Sequence, residues 1–203
     1  MKKYLVVDTE TTGLFDFRQP ADANGQPRMA QFAGLMVDNI DAEPKFCYSA
    51  YVKPDGWSMS PDTGKVNGLS DEFLMAKGVP VSDTLDFYTK AINDGYIVVA
   101  FNSQFDTKVL RAELRRAGRD DLFDRTPNIC VMRACTDIVK IPRKTGNGFK
   151  FPKLGEACDH FGIVNSGAHD AYGDAYAAFA VMLKLHAFGA LPEPAVHYAK
   201  EAA

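Results

Sequence analysis

The chain contains no apolar run of 18 or more residues, which removes any candidate for a membrane-spanning helix. Its start, MKKYLVVDTE, carries only a short apolar stretch before Asp8, too short for the hydrophobic segment of a secretory signal. Its four cysteines (Cys47, Cys130, Cys135 and Cys158) form no Cys-x-x-Cys pair, and with His160 they match no common zinc spacing. They read as small apolar residues of a reduced, cytoplasmic protein. A G-x-S-x-G nucleophile turn is missing, and no cysteine is set beside a base by sequence, so serine and cysteine nucleophile chemistry have no support. Strong charge of either sign is lacking too, since the net charge is −3 over 203 residues. That argues against a protein drawn onto nucleic acid by its overall field, though not against a local basic groove.

What is present fits one domain of about 188 residues with a short tail, residues 189–203. Lys3 to Asp8 reads as a buried strand, and MAQFAGLMVD and KFCYSAYVKP as the next two, in a meander with it. Residues 15–28 and 54–64 are rich in proline and glycine and read as loops. Ser82 to Ile92 is helix-like, with Ser82 or Asp83 as cap. YIVVAF (96–101) is another buried strand, followed by a helix from Ser103 to Ala117 that Gly118 stops. A short strand at 128–131 runs into a helix, residues 142–152 form a loop, and helices follow over 152–161 and about 169–188. Strands first and helix–strand alternation afterwards predict an α/β fold with a central mixed β-sheet, an antiparallel meander continued by parallel strands and flanked by helices.

Three short stretches carry the chemistry. VVDTETTGL places Asp8 and Glu10 on one face of a strand, where two carboxylates repel and are costly to bury. NSQFD (102–106) places Asp106 just past another strand; Ser103-x-x-Asp106 also has the form of a helix cap. HDAYGD (169–174) opens the last long helix. His169 and Asp174 are ~140° apart on an ideal helix, so both can reach one site only if His169 lies in the turn before it. Four carboxylates gathered together require compensation. Two divalent cations with hard oxygen ligands, Mg²⁺ or Mn²⁺, provide it, and such a pair is suited to displacement at phosphorus.

At these residues the sequence resembles the DEDDh branch of the DnaQ-like 3′–5′ exonucleases, over roughly residues 3–187. DTETTGL, NSQFD and HDAYGD match its three motifs in order and spacing. The resemblance implies an RNase H-like fold. It also implies that Asp8, Glu10, Asp106 and Asp174 hold two Mg²⁺ or Mn²⁺ ions and that His169 is the general base. Further contacts with the substrate strand are implied at Thr9, Thr11, Thr12, Leu14, Asn102 and Phe105, with Leu14 against the terminal base. The implied partner is a nucleic acid with a single-stranded 3′ end, DNA favoured over RNA, cleaved to nucleoside 5′-monophosphates. A homodimer or a polymerase partner, and an RNA-trimming role, stay open. The chain departs from the family at Asn67, where a histidine is frequent, and at Cys130, where many members carry an acid.

Two basic clusters could hold the strand: Lys108, Arg111, Arg115, Arg116 and Arg119 on one helix, and Lys140, Arg143, Lys144, Lys150 and Lys153 around the 142–152 loop. Lys144 and Lys150 are the chosen candidates, with Phe149 and Phe151 interleaved for base stacking. A phosphohydrolase of the haloacid dehalogenase type, with D-x-D-x-T after a strand, is a poorer match, because Glu10 replaces its second aspartate. A non-catalytic binding protein on the same fold is disfavoured because all five site residues are present.

Overall fold

A computed structural model describes residues 1–196 of the chain, apart from 166 and 168. Five strands form one sheet in the order β3-β2-β1-β4-β5: β1 is Lys3–Thr11, β2 Met29–Val37, β3 Phe46–Tyr51, β4 Tyr96–Ala100 and β5 Asn128–Cys130. β2 runs antiparallel to β1 and β3, while β4 and β5 run parallel to β1. The expected meander followed by parallel strands is the observed topology. β1 lies at the centre, which is why its YLVV reads as an unbroken apolar run: both of its faces are covered.

Alternation along β1 builds two cores. Tyr4 and Val6 face a layer made by α5 (Val131–Val139), α6 (Leu154–Phe161) and α7 (Ala171–Ala187). Leu5 and Val7 face α3 (Val81–Asn93) and α4 (Ser103–Arg116). On α7 the buried Ala171, Ala175 and Ala178 let the helix lie close to the sheet, while Val181, Met182 and Leu185 fill the remaining space. Each fully buried side chain of that size contributes roughly 1.5–3 kcal/mol.

The sequence reading needs four corrections. β1 does not end at Asp8 but continues to Thr11, because β2 goes on pairing with it through Asp8↔Ala33, Thr9↔Phe32 and Glu10↔Gln31. Its pairing with β4 stops at Val6↔Val99, so Asp8 and Glu10 lie beyond the stretch that β4 pairs with. Two short helices, α1 (Pro61–Asn67) and α2 (Asp71–Lys77), occupy a stretch with no expected structure beyond loop. Ser60 and Ser70 cap them by accepting hydrogen bonds from the Thr63 and Phe73 N–H groups. α3 starts after Pro80, earlier than a cap at Ser82 or Asp83 would place it. Ser103 lies inside α4 and donates to the Asn128 carbonyl oxygen of the side chain, so Ser103 and Asp106 do not form a cap.

The chain beyond α7 is tied back to the body: Asn128 and Ala195 exchange backbone hydrogen bonds of 2.9 and 3.2 Å, and Lys2 pairs with Glu193. The rest of the expected tail, 197–203, lies outside the described residues. No helix among the described residues is long and apolar enough to cross a membrane.

Candidate active site

Asp8 and Glu10 share the α7 face of β1, and α7 brings Asp174 in its first turn. Asp106 arrives from the other side of the sheet, in the first turn of α4, and is 3% exposed. Its Oδ1 accepts a hydrogen bond of 2.8 Å from the Thr9 hydroxyl. His169 sits in the turn ahead of α7 with φ +65°, a left-handed conformation, and the residue is exposed. That turn resolves the angular difficulty of the spacing. His169 is not on the helix, and its backbone N–H donates to Asp174 Oδ2 at 3.1 Å. Asn165 donates to the other oxygen, Oδ1, at 2.9 Å.

The electrostatics are those of a site that needs a counter-charge. Burial pushes the Asp8 carboxyl well above the usual carboxylate range, and the charges of Asp106, Asp174, Glu10 and Asp170 push it further. Burial likewise raises Asp106 to about 7, against the downward pull of the Thr9 hydrogen bond. Glu10 is raised by burial and by Asp174, partly offset by His169 and by a hydrogen bond from Asn67. The main influences on these three carboxyls include no lysine or arginine. Glu10, His169 and Asp174 each present a ligand atom, all within 4.8 Å of one another. Hard oxygen donors, one imidazole nitrogen and crowded negative charge together fit divalent cations of the Mg²⁺ or Mn²⁺ kind. No cysteine belongs to this ligand group among the described residues. Cys130, Cys135 and Cys158 are buried, and the thiols of Cys130 and Cys135 point at backbone carbonyls.

The residues expected to contact substrate divide into two groups. Leu14 stands clear of the surface, 87% exposed, just beyond the end of β1. Thr12 is half-buried beside it, and its hydroxyl accepts from the Arg28 N–H. Asn102 precedes α4 and makes no side-chain cap. The other residues are occupied internally. The Thr9 hydroxyl is spent on Asp106, and Thr11 donates to the Gly13 carbonyl at 2.6 Å. The Phe105 ring packs edge-on against Phe15, 5.7 Å between centroids. Lys150 is neutralised by Glu156, with contacts of 2.6 and 2.7 Å, whereas Lys144 is exposed.

The basic stripe on α4 is a structural anchor. Lys108 donates to the Gln19 carbonyl and lies over the Phe15 and Phe17 rings. Arg115 and Arg111 pair with Asp121, and Arg119 with Asp86. Arg116 and Arg28 both engage the buried Glu113, and Arg116 also donates to the Pro27 carbonyl. The contacts of Lys108, Arg116 and Glu113 bolt the long 15–28 segment onto α4.

A sequence profile of the exonuclease family matches residues 5–182. The chain belongs to the exonuclease family. Its relatives in that family include DNA polymerase III subunit epsilon of Salmonella typhimurium, 28% identical over 164 residues, which are 81% of this chain and 62% of that one. The epsilon subunit of Treponema pallidum is 26% identical over 187 residues, covering 91% and 78% of the two chains. In fold the chain is similar to E. coli exonuclease I, seen in complex with a dT13 oligonucleotide: TM-score 0.74, 24% identity, 91% of this chain and 41% of that one. This exonuclease domain therefore has the RNase H-like architecture, and it spans about three-fifths of the Salmonella relative's length.

Within this family frame, three site residues escaped the sequence reading. Asn165 holds Asp174. Asp170 caps α7 by accepting from the Gly173 N–H at 3.2 Å. Gln31, from β2, reaches across to Asp170 at 2.7 Å. Asn67, noted only as a departure, is 9% exposed, and its amide also donates to the Thr11 carbonyl at 3.4 Å.

Proposed function

We propose that this chain is a 3′–5′ exonuclease that uses two divalent metal ions to release nucleoside 5′-monophosphates from single-stranded 3′ ends, DNA favoured over RNA. The observation that carries this is the convergence of Asp8, Glu10, Asp106, Asp174 and His169 from three separate parts of the chain on one site crowded with negative charge. Asp8, Glu10, Asp106 and Asp174 would hold the ions. Bound there, Mg²⁺ or Mn²⁺ would lower the pKa of the attacking water and stabilise charge at the phosphoryl group. His169, exposed at the rim, would take the proton from that water, since imidazole is the side chain suited to proton exchange near neutral pH. The exposed Leu14 offers an apolar surface to the terminal base, and Thr12 lies beside it.

The similarity to exonuclease I, whose structure contains a DNA oligonucleotide, supports DNA as substrate. The similarity to polymerase III epsilon subunits supports a second reading, a proofreading subunit that works with a polymerase in the cytoplasm. The test is to incubate the protein with 5′-labelled single-stranded DNA and RNA of one sequence, with Mg²⁺, Mn²⁺ or EDTA. A metal-dependent ladder shortening from the 3′ end, absent in Asp8→Ala and reduced ~10²–10⁴-fold in His169→Ala, is the expected result. Cleavage that survives EDTA and Asp8→Ala would overturn the reading.

A further inference from the structure

Gln31 is the polar residue in the middle of an otherwise apolar strand, MAQFAGLMV, and it is 3% exposed. It lies opposite Glu10 in the β1–β2 register, so its side chain shares the face of the sheet that bears the site. A buried amide must place both its donor and its acceptor. Gln31 spends both at the start of α7. Its N–H donates to Asp170 Oδ1 at 2.7 Å, and its oxygen accepts from the Ala171 N–H at 3.2 Å. Asp170 in turn gives its second oxygen to the Gly173 N–H.

The turn fixed in this way is one that would not hold its shape unaided. His169 occupies the left-handed region, which side-chain-bearing residues populate only when their surroundings over-determine them. Gly173 is pressed so close to Gly167 that a Cβ there would stand 2.5 Å from the Gly167 carbonyl oxygen. The His169 N–H is aimed at Asp174 Oδ2. One amide thus links the strand pair carrying Asp8 and Glu10 to the turn carrying His169 and Asp174.

We propose that Gln31 is a positioning residue for the reaction: through Asp170 it sets the distance and orientation of His169 and Asp174 relative to the β1 carboxylates. This rests on the exonuclease reading above. The pair is directional. Gln31 must donate, because Asp170 accepts, and a carboxylate at position 31 would face the Asp170 carboxylate at hydrogen-bond distance. Exchanging the two functional groups restores the bond with its polarity reversed. An amide at position 170 would donate to a carboxylate at position 31 and still cap α7 through its oxygen.

The experiment compares the full chain with Gln31→Glu, Gln31→Met and the double variant Gln31→Glu/Asp170→Asn. It measures kcat and KM on a 5′-labelled oligothymidylate, Mn²⁺ affinity by electron paramagnetic resonance, and folding by circular dichroism. Gln31→Glu should lower kcat about 10- to 100-fold with KM within about twofold, as is usual for residues that orient metal ligands. The double variant should return to within about threefold of the native kcat, whereas two unrelated defects would accumulate. Gln31→Met, which keeps the charge, should weaken Mn²⁺ binding by about tenfold. Native kcat in Gln31→Glu, or a double variant no better than it, would overturn the proposal. If the native chain degrades no substrate, the exonuclease reading falls by itself. The Mn²⁺ comparison then decides the positioning role, which equal affinities in Gln31→Met and the native chain would refute.

Discussion

Thr9 and Asp106, 97 residues apart, are joined by a hydrogen bond of 2.8 Å that crosses from the middle strand to the first turn of α4. The donor lies on the opposite face of β1 from Asp8 and Glu10, so the strand serves the site with both faces. Removing it with the isosteric Thr9→Val takes from Asp106 its side-chain partner, leaves it the backbone hydrogen bonds, and pushes its carboxyl further up. The expected outcome is a loss of about 1 kcal/mol of stability and a fall in kcat, with Thr9→Ser close to native. Chemical denaturation and steady-state kinetics on one preparation would check both.

The raised carboxyls make a statement about pH. Asp8, Glu10 and Asp106, the last at about 7, keep their protons in the folded chain at pH values where the unfolded chain has lost them. The folded state therefore binds more protons, and the stability of the metal-free protein falls as pH rises from the ordinary carboxylate range through about 7. Mg²⁺ or Mn²⁺ should reverse this by favouring the ionised forms. Melting in EDTA and in metal across roughly pH 5–8 should show a metal-induced rise in Tm that is larger at the alkaline end than at the acid end. Asp8→Asn should raise the metal-free Tm at the alkaline end while abolishing turnover.

Much of this was legible in the sequence, and the failures have specific causes. The D-x-E, NSQFD and HDAYGD stretches announced the acids because strand alternation and helix starts are local properties. The role of the α4 stripe stayed open in the sequence because counting cations does not reveal the acids that meet them: Glu113 was visible on the same helix, but Asp22, Asp86 and Asp121 reach it from other segments. α1 was hidden by Pro61 and Gly64, although Ser60 followed by proline is itself a helix-start signal. Gln31 could have been suspected as a lone amide in a buried strand. Its partner could not, since nothing local to β2 points to Asp170.

Lys144 and Lys150 should separate cleanly. Lys144 is exposed, and if it meets a phosphate, Lys144→Ala should reduce the salt dependence of substrate binding by a slope of about 1. Lys150 is held by Glu156, which also accepts from the Lys153 N–H ahead of α6. Lys150→Ala should leave the salt slope unchanged. Fluorescence anisotropy with an Asp8→Ala background would measure both without cleavage.

Leu14 is apolar and almost wholly exposed in the free protein, so it contributes little to folding. Leu14→Ser should therefore leave stability within about 0.5 kcal/mol of native while raising KM for single-stranded DNA. Unchanged KM would remove Leu14 from the substrate surface.

Glu113 is 2% exposed and receives Arg28, Arg116 and the Met29 N–H. Glu113→Ala strands two partly buried guanidinium groups, and breaking buried pairs in this way costs about 3–5 kcal/mol. The 15–28 segment should become the first part of the chain to be cut by protease, a change readable by limited digestion.

The start of α7 has a consequence for the order in which the molecule is completed. β1 and β2 are consecutive strands, so their pairing closes a far smaller loop than the return of His169 and Asp174 from the other end of the domain. Until α7 docks, the β1 carboxylates face only Asp106, and the site lacks His169 and Asp174. On the exonuclease reading proposed above, metal capture would then be a closing event and not a nucleus, and a growing polypeptide that already has its sheet would not yet cut nucleic acid.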